Sequence, residues 1–438
     1  MQLWASLAYD PVDRYLVLFG GCTVSVCPIP SQTWTYFNGT WHNITSLGPQ
    51  PPAREYAHMV FDGSDGYILL YGGVGSTVLS DTWSFAGGHW TNRTNTVGAP
   101  PPARWGGGFA YDPSANSSLL FGGMSTSGRL LNDTWAYSGG HWTNLTGSVG
   151  GAPPPRYEAS MAWDNTDKEV VLVDGCGALS CPVNNTWSFS AGRWTNITSL
   201  SAPAPPARFL STLSFDAASG SLRLFGGLSG TGSLGDTWSF SGNHWSNLTG
   251  SFTESPRPRE GSATPEDTVA WVQGSPHTLP FDLLYGGDWV SCSNCPLRGL
   301  SDTWAYESPP SISASVSPDV IQAGQNASFR QTLSGGSPPY SYFWNFSDGT
   351  FSQAADASHR FATPGTVVVS AVGRDAAGAT ANATVRLSVT GITPPASPLS
   401  GTTGVVLFVI APLGGIAVVT SLLVWRHRKR QRTPPVDR

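Results

Sequence analysis

The sequence is poor in charge and almost devoid of lysine. Charged residues make up 12% of its 438 positions, and Lys168 and Lys429 are the only lysines. A nucleic-acid partner requires a stripe of basic residues that neutralises phosphates, so this partner is excluded. A coiled coil, which needs many charged residues beside its apolar seam, is excluded as well. The chain is instead rich in glycine (51), proline (35) and tryptophan (18), and 40% of its residues are hydrophobic. This composition indicates a packed, turn-rich β protein with few long helices.

Short catalytic and metal-binding motifs are also missing. The chain contains no Gly-x-Ser-x-Gly elbow and no His-Glu-x-x-His pair. Three of its eight histidines, His89, His141 and His244, recur at one repeat position, which indicates a structural role instead of metal ligation. We therefore predict no catalytic residue, no metal and no cofactor, while the sequence leaves an enzymatic activity open.

An internal repeat of about 50 residues fills positions 1–307. Each copy has an apolar run ending in a Gly pair, then a Thr-Trp pair, and in the first five copies a second Trp seven residues later. The Gly pairs or their equivalents are Gly20-Gly21, Gly72-Gly73, Gly122-Gly123, Asp174-Gly175, Gly226-Gly227 and Gly286-Gly287. The tryptophans are Trp34, Trp83, Trp135, Trp187, Trp238 and Trp304, then Trp41, Trp90, Trp142, Trp194 and Trp245.

Each copy predicts a four-stranded antiparallel sheet, whose strands we label A to D in chain order. In the second copy these are AHMVFD, YILLYGG, DTWSFAG and HWTNRT. An aspartate ends strand A, where it can cap the A–B turn, at Asp10, Asp62, Asp112, Asp164 and Asp216. One such sheet cannot bury both of its faces, whereas a ring of sheets with tryptophans in the wedges can.

The Gly pair, the spaced aromatic and Trp, and the following Arg resemble the Kelch repeat of β-propellers. The resemblance covers six copies and implies an all-β, Kelch-type β-propeller with six or more blades; it says little about activity. Some Kelch propellers resemble galactose oxidase, whose copper needs a Tyr–Cys cross-link and paired histidines. We expect no copper here, because every cysteine has a partner in its own loop.

The repeat is incomplete at both ends. The chain opens directly on a strand A, and the sixth copy stops after strand C at TWAYE. We expect the missing strand D, any further blade and an export signal to lie upstream of Met1.

Residues 308–391 predict a second β domain. Its motif is Trp344-Asn345-Phe346-Ser347-Asp348-Gly349, followed by His359-Arg360-Phe361. This pattern resembles the polycystic-kidney-disease (PKD) domain, an immunoglobulin-like β-sandwich. The resemblance implies that Trp344 is a core residue and that Asp348-Gly349 forms a hairpin turn, and it implies no ligand site.

A Pro-rich linker (392–404) leads to 21 uncharged residues, Val405 to Trp425. As a helix this segment would be about 30 Å long, the thickness of the hydrocarbon core of a bilayer. The tail (426–438) is basic, which is typical of the cytoplasmic side. We predict one transmembrane helix (405–425), a cytoplasmic C-terminus, and an extracellular location for the rest of the chain.

The six cysteines fall into three local pairs, and each pair lies in a B–C loop. We predict the disulfides Cys22/Cys27, Cys176/Cys181 and Cys292/Cys295, with zinc as the alternative for the last pair. Twelve asparagines stand in Asn-x-Ser/Thr sequons and are candidates for glycosylation, although the five that follow the second Trp could be structural. The sequons are at Asn38, Asn43, Asn92, Asn116, Asn132, Asn144, Asn184, Asn196, Asn247, Asn326, Asn345 and Asn382.

The best candidates for ligand binding are the arginines that begin strand A: Arg54, Arg104, Arg156, Arg208 and Arg259. They lie on the face that carries the B–C loops, so their guanidinium groups could converge on the channel and bind acidic glycans or carboxylates. They could equally hydrogen-bond neighbouring backbone. The aromatic residues beside them could stack on sugars or simply pack; these are Tyr56, Trp105, Tyr157 and Phe209.

Together these features predict a membrane-anchored cell-surface protein for binding or adhesion. It would recognise extracellular glycans or surface proteins through the loop face of the propeller. The alternatives are an extracellular carbohydrate-active enzyme, which needs acids or metal ligands at the channel mouth, and a passive coat component.

Overall fold

The structure is a computed structural model. It describes residues 3–22, 31–37, 40–217, 219–251, 255–262, 310–334, 339–375 and 378–391, and the backbone of short strands within 269–307 and at 424–426. The chain divides into two compact units, of which the first contains Met1–Tyr306 and Val424–Arg438 and the second contains Glu307–Leu423. The first unit contains the repeats.

Five repeats form complete four-stranded antiparallel sheets, the blades, with strands in the order A-B-C-D. Strands A are Ser6–Asp10, His58–Asp62, Gly108–Asp112, Ser160–Asp164 and Thr212–Asp216. Strands B are Tyr15–Phe19, Tyr67–Tyr71, Ser117–Ser125, Glu169–Val173 and Ser221–Phe225. Strands C are Thr33–Phe37, Thr82–Ala86, Leu130–Ser138, Thr186–Ser190 and Thr237–Ser241. Strands D are Thr40–Asn43, His89–Asn92, His141–Asn144, Arg193–Asn196 and His244–Asn247.

In the sixth repeat, Asp282–Tyr285 and Thr303–Glu307 pair as strands B and C, and Val424–Arg426 joins the same sheet. Val269–Val272 pairs with Ser275–Thr278, and Asp288–Trp289 pairs with Arg298–Gly299. Arg104–Trp105 pairs with the third strand B, Arg156–Tyr157 with Cys176–Gly177, and Leu228–Ser229 with Gly232–Ser233. A single 3-10 turn lies at Thr249–Ser251.

The blades close into a ring of six. Six residues, one at the entry of each blade, exchange backbone hydrogen bonds of 2.5–3.3 Å in a closed circle that we call the amide ring. In order these are Trp4, Tyr56, Gly106, Glu158, Leu210 and Gly261, and Trp4 N–H donates back to the Gly261 carbonyl. This circle sets the number of blades around the channel at six, where the sequence had left a larger number open.

The Gly pairs hold neighbouring blades together. Gly72 has φ +63°, and a Cβ there would lie 2.6 Å from the carbonyl oxygen of Arg104 in the next blade. Gly73 N–H donates to the same carbonyl at 2.9 Å. Glycine is needed at this position because the backbone is left-handed and the next blade approaches too closely for a side chain.

The second unit is a sandwich of two sheets. One sheet contains Ser311–Ser317, Asn326–Ser334 and Asp356–Arg360. The other contains, in spatial order, Val320–Gln322, Thr380–Thr390, Gly365–Arg374, Ser341–Asn345 and Phe351–Ser352. Trp344 has no exposed surface and packs in the core between the sheets, as expected.

No helix among the described residues is long and apolar enough to cross a membrane. The predicted helix at 405–425 lies outside the described residues, apart from its last two positions, which belong to the strand Val424–Arg426. Of the three predicted disulfides, Cys176–Cys181 is present. Cys22 is disulfide-bonded, but Cys27, Cys292 and Cys295 lie outside the described residues.

Candidate functional site

The recurring arginines, which the sequence placed at the start of strand A, stand four residues before that strand in blades 2 to 5 and are buried instead of lining the channel. Each of the five is 0–1% exposed. Arg104 shows the pattern: its two terminal nitrogens each donate to an oxygen of Asp133 at 2.6 Å, and Nη1 also donates to the Gly122 carbonyl. Arg54 pairs with Asp81, and Arg208 with Asp236, in the same way.

The aspartate in each cluster has a third partner. Trp135 Nε1 donates to Asp133 Oδ2 at 2.7 Å, and the equivalent bonds occur at Trp83 and Trp238. We call each set an Arg–Asp–Trp cluster. Since the guanidinium groups are enclosed and already hydrogen-bonded, the geometry favours the structural interpretation of the arginines over the ligand-binding one.

The second Trp of repeats two to five joins two blades. Trp142 Nε1, on strand D of blade 3, donates to Thr82 Oγ1 on strand C of blade 2 at 3.1 Å. The same bond recurs from Trp90 to Thr33, from Trp194 to Thr134 and from Trp245 to Thr186. This contact gives the Thr before the first Trp a structural role in four copies, at Thr33, Thr82, Thr134 and Thr186.

The strand-D sequons also have a structural role. In all five copies the Asn Oδ1 accepts a bond from the backbone of the sequon Thr, whose Oγ1 in turn accepts from the Thr that begins strand C. The five asparagines are nevertheless exposed. Glycosylation of these residues therefore stays a prediction, because the recurrence of the motif has a sufficient structural cause.

A cavity of about 220 Å³ opens in the channel and is lined by the first residues of strands A and the residues just before them. Four members of the amide ring line this cavity: Tyr56, Gly106, Glu158 and Leu210. All six members have a left-handed φ between +52° and +65°, and this conformation is uncommon for the four that are not glycine, namely Trp4, Tyr56, Glu158 and Leu210. We call the amide ring, with the side chains of its residues and the part of the cavity that it lines, the channel mouth.

Aromatic rings form an arc at the channel mouth. Trp4 stacks on Tyr56 with ring centroids 5.1 Å apart and an interplanar angle of 20°. Tyr56 contacts Trp105 at 5.1 Å, and Trp105 contacts Tyr157 edge-on at 5.3 Å. All four side chains are partly exposed. We call them the aromatic arc; three of its members were predicted from the sequence as possible stacking residues.

Glu158 lines the cavity beside the arc, and Glu55 and Glu260 lie near enough to repel its carboxyl group. Burial raises the pKa of Glu158 to about 8, and repulsion from Glu260 and Glu55 adds to the effect. Burial also raises the pKa of Glu55 to about 7. The Glu158 side chain lies over Gly106, where an added Cβ would come within 3.4 Å of its Cγ. The mouth thus combines stacking surfaces with the carboxyl groups of Glu55 and Glu158, whose pKa values are raised towards neutral pH.

Removing the Glu158 carboxyl should change how stability depends on pH. A carboxyl with a raised folded-state pKa favours the folded state below its unfolded value and loses that contribution as pH rises through about 8. We therefore expect Glu158→Gln to raise the free energy of unfolding by about 5 kcal/mol at pH 9 and to leave it unchanged at pH 4. Urea unfolding at both pH values measures this; an equal effect at both would contradict it.

His58 lies among the residues that line the cavity, and it is 3% exposed. Its Nδ1 lies 3.0 Å from the Tyr71 carbonyl, and its Nε2 accepts the Gly107 N–H at 2.7 Å. Complete burial lowers the pKa of His58 to about 4. It therefore links blades 2 and 3 as a neutral ring.

Sequence reasoning missed the three glutamates, although a signal was present. They stand one or two residues after the recurring Arg, at positions where the repeat does not repeat: Glu55, Glu158 and Glu260. The residues that recur in every copy build the blades. Residues that differ between the copies, near the amide ring, are therefore the ones available to contact a ligand.

Comparisons with known families agree with this architecture. Residues 7–216 match the KLHDC2/KLHL20/DRC7 Kelch-repeats domain, and residues 307–390 match the PKD domain. The chain thus carries Kelch repeats, here folded as a β-propeller, followed by a PKD domain. Both resemblances predicted from the sequence are confirmed.

Individual relatives match only in part. The tRNA wybutosine-synthesizing protein 4 of Emericella nidulans is 36% identical over 136 residues, covering 28% of this chain and 12% of that protein. An F-box/kelch-repeat protein of Arabidopsis thaliana is 28% identical over 184 residues, covering 37% of this chain and 36% of that one. The solved structure of YjhT is 12% identical, with a TM-score of 0.49 over 70% of this chain and 94% of that chain.

Proposed function

We propose that the chain is a cell-surface binding protein whose propeller recognises glycans at the channel mouth. The observation that supports this function is the aromatic arc beside carboxyl groups at the entrance of a cavity. Aromatic rings offer flat apolar surfaces on which the C–H faces of sugars can stack, and carboxyl groups hydrogen-bond sugar hydroxyls.

The charge of the mouth selects among glycans. Glu158 lines the cavity, with Glu55 and Glu260 near enough to repel its carboxyl group, whereas the five arginines that would attract an anion are all buried. An acidic glycan would meet carboxyl groups, and each negative charge brought near them would raise their pKa values further. We therefore propose neutral glycans as the ligands, in place of the acidic ones that an arginine ring would favour.

A glycan array tests this proposal, with substitutions that compare two equivalent positions. We expect Trp105→Ala, which removes a ring from the aromatic arc, to weaken binding about 10-fold, or about 1.4 kcal/mol. Phe209→Ala is the matched control, because Phe209 holds the same repeat position in blade 5 on the side away from Trp4 and Tyr56. We expect it to change affinity less than twofold. A preference for acidic glycans, or equal losses in both variants, would contradict the proposal.

A carbohydrate-active enzyme is the second candidate, because the glutamates supply the acids at the mouth that the sequence did not reveal. A carboxyl with a pKa near 8 can act as a general acid at neutral pH, and glycoside hydrolysis uses such a group together with a second carboxylate. Incubating the protein with glycans bound on the array separates the two functions. Release of reducing sugar that Glu158→Gln abolishes would establish the enzyme, and intact glycan would exclude it.

The surface location is part of the proposal and rests on the apolar segment 405–425 with its basic flank. We expect protease added to intact cells to release fragments from residues 1–400 and to leave the tail protected. Lysed cells provide the control in which the tail is also digested. Full protection of residues 1–400 in intact cells would overturn the surface location without bearing on the ligand.

A further inference from the structure

The outer face of the PKD domain carries two exposed aromatic rings side by side. Phe351 is 65% exposed and Phe343 is 37% exposed. Their ring centroids are 5.6 Å apart with an interplanar angle of 23°, so they form one continuous apolar surface. Strand alternation directs Trp344 into the core and leaves Phe343 outside. Phe343 and Phe351 therefore lie on the same, outer face of the five-stranded sheet.

A glycosylation sequon lies between these two rings. Asn345 follows Phe343 by two residues on the same strand face, about 7 Å away, and it is paired directly with Phe351 on the neighbouring strand. Asn345-Phe346-Ser347 has the acceptor pattern Asn-x-Ser. The Asn345 Oδ1 accepts the Ser347 N–H at 3.0 Å, while Nδ2, the atom that glycosylation modifies, has no partner among the described residues.

We infer that Asn345 carries an N-linked glycan whose first sugar packs on the Phe343–Phe351 pair. In the modification, Nδ2 attacks C1 of a sugar held as a lipid-linked diphosphate donor. The bond from C1 to the phosphate oxygen breaks, the C1–Nδ2 bond forms, Nδ2 loses a proton and the lipid diphosphate leaves. The sugar covers apolar surface that would otherwise stay in water, which stabilises this edge of the sheet.

The other sequons of the domain lack this arrangement. Asn326 lies on the opposite sheet, where its cross-strand partner is Arg360. Asn382 is on the same sheet as the rings, but Val372 separates it from Phe343, so the two are about 10 Å apart. Both asparagines are exposed and serve as controls within the same domain.

The experiment uses the full chain produced through the secretory route of a yeast. Glycopeptide mass spectrometry measures the occupancy of Asn345. Amide hydrogen exchange is then compared in three samples: intact, trimmed by an endoglycosidase that leaves one sugar, and stripped by an amidase that leaves none. We expect Ser341–Asn345 and Phe351–Ser352 to exchange at the same rate in the first two and about threefold faster in the third.

The variant Phe343→Ser/Phe351→Ser separates the sugar contact from the charge that the amidase creates when it converts Asn345 to Asp. In this variant we expect stripping to leave exchange unchanged, and we expect Asn326→Gln to behave as the wild type. The inference is overturned if Asn345 is unoccupied, if stripping does not alter exchange in the wild type, if the double variant responds equally, or if protection follows Asn382. None of these outcomes depends on the channel mouth.

Discussion

Replacing Asp133 by Ala is expected to lower the free energy of unfolding by about 3–5 kcal/mol. Asp133 receives two bonds of 2.6 Å from Arg104 and one of 2.7 Å from Trp135. Arg104 is fully buried, so the substitution would leave a positive charge without a counter-ion and an indole N–H without an acceptor. Urea unfolding followed by tryptophan fluorescence measures the loss.

The control is Asp13→Ala, which removes the same charge from an exposed site. Asp13 Oδ2 accepts only the Gly87 N–H of the next blade and the Tyr15 hydroxyl, so we expect a loss of about 1 kcal/mol. If Asp133→Ala cost no more than Asp13→Ala, the Arg–Asp–Trp cluster of blade 3 would contribute no more to stability than an exposed carboxylate.

Acid should have the same effect on this cluster as the Asp133 substitution. Burial alone would raise the pKa of Asp133, but the bonds and the charge of Arg104 outweigh burial and hold the pKa below its usual value. A carboxylate with a lowered folded-state pKa stabilises the fold above its unfolded value and loses this contribution as pH falls through the folded value. The wild type should therefore lose stability below about pH 4, and Asp133→Ala should lose less.

The fold was largely predictable from the sequence because the residues that recur in each copy are those that make the structural contacts. The Thr-Trp pair, the second Trp and the Gly pair recur because Trp142 bonds Thr82 and because Gly72 leaves room for the Arg104 carbonyl. Such recurring residues identify the strands, the turns and a ring of blades. They do not fix the number of blades, which the circle of amide bonds at Trp4 and Gly261 shows.

The site was harder to predict for the same reason. A recurring Arg with a long cationic side chain looks like a ligand group, but its counter-charge, Asp133 for Arg104, lies 29 residues away and appears as part of another strand. Glu55, Glu158 and Glu260 are far apart in the chain, and only closure of the ring brings their charges together. Periodicity reveals the scaffold, whereas the site depends on non-recurring residues that the scaffold brings into proximity.

Blade 4 departs from the cluster pattern, and its departures are paired. Asn185 replaces the aspartate, so Arg156 Nη1 still finds an acceptor at 2.6 Å. Arg156 Nη2 and Trp187 Nε1, however, have no partner among the described residues. Asp174 replaces the first glycine of the pair and is 3% exposed, with Oδ2 lying 3.8 Å from Arg208 Nε. Blade 4 thus lacks the carboxylate at position 185 and has one at position 174, where the other blades have glycine.

Electrostatics supports this exchange of positions. Burial lowers the pKa of Arg156 to about 10, and the charge of Asp174 opposes the shift. Burial raises the pKa of Asp174, which Arg208 and Arg156 oppose. The Asp174 carboxyl thus lies nearest Arg208 and also interacts with the charge of Arg156, whose Nη1 donates to the Asp174 carbonyl. Asp174 has a left-handed φ of +57°, and no bidentate pair is formed.

A double-mutant cycle should therefore show a reversal of sign. Alone, Asp174→Gly is expected to destabilise the protein by about 1–2 kcal/mol, because the buried guanidinium groups of Arg208 and Arg156 lose a neighbouring carboxylate. In the Asn185→Asp background the same change should stabilise by about 1–2 kcal/mol, because it relieves the backbone and removes a like charge from beside the restored cluster. Denaturant unfolding of the four proteins measures the coupling. Effects of Asp174→Gly that agree within about 0.5 kcal/mol in both backgrounds would show that the two replacements arose independently.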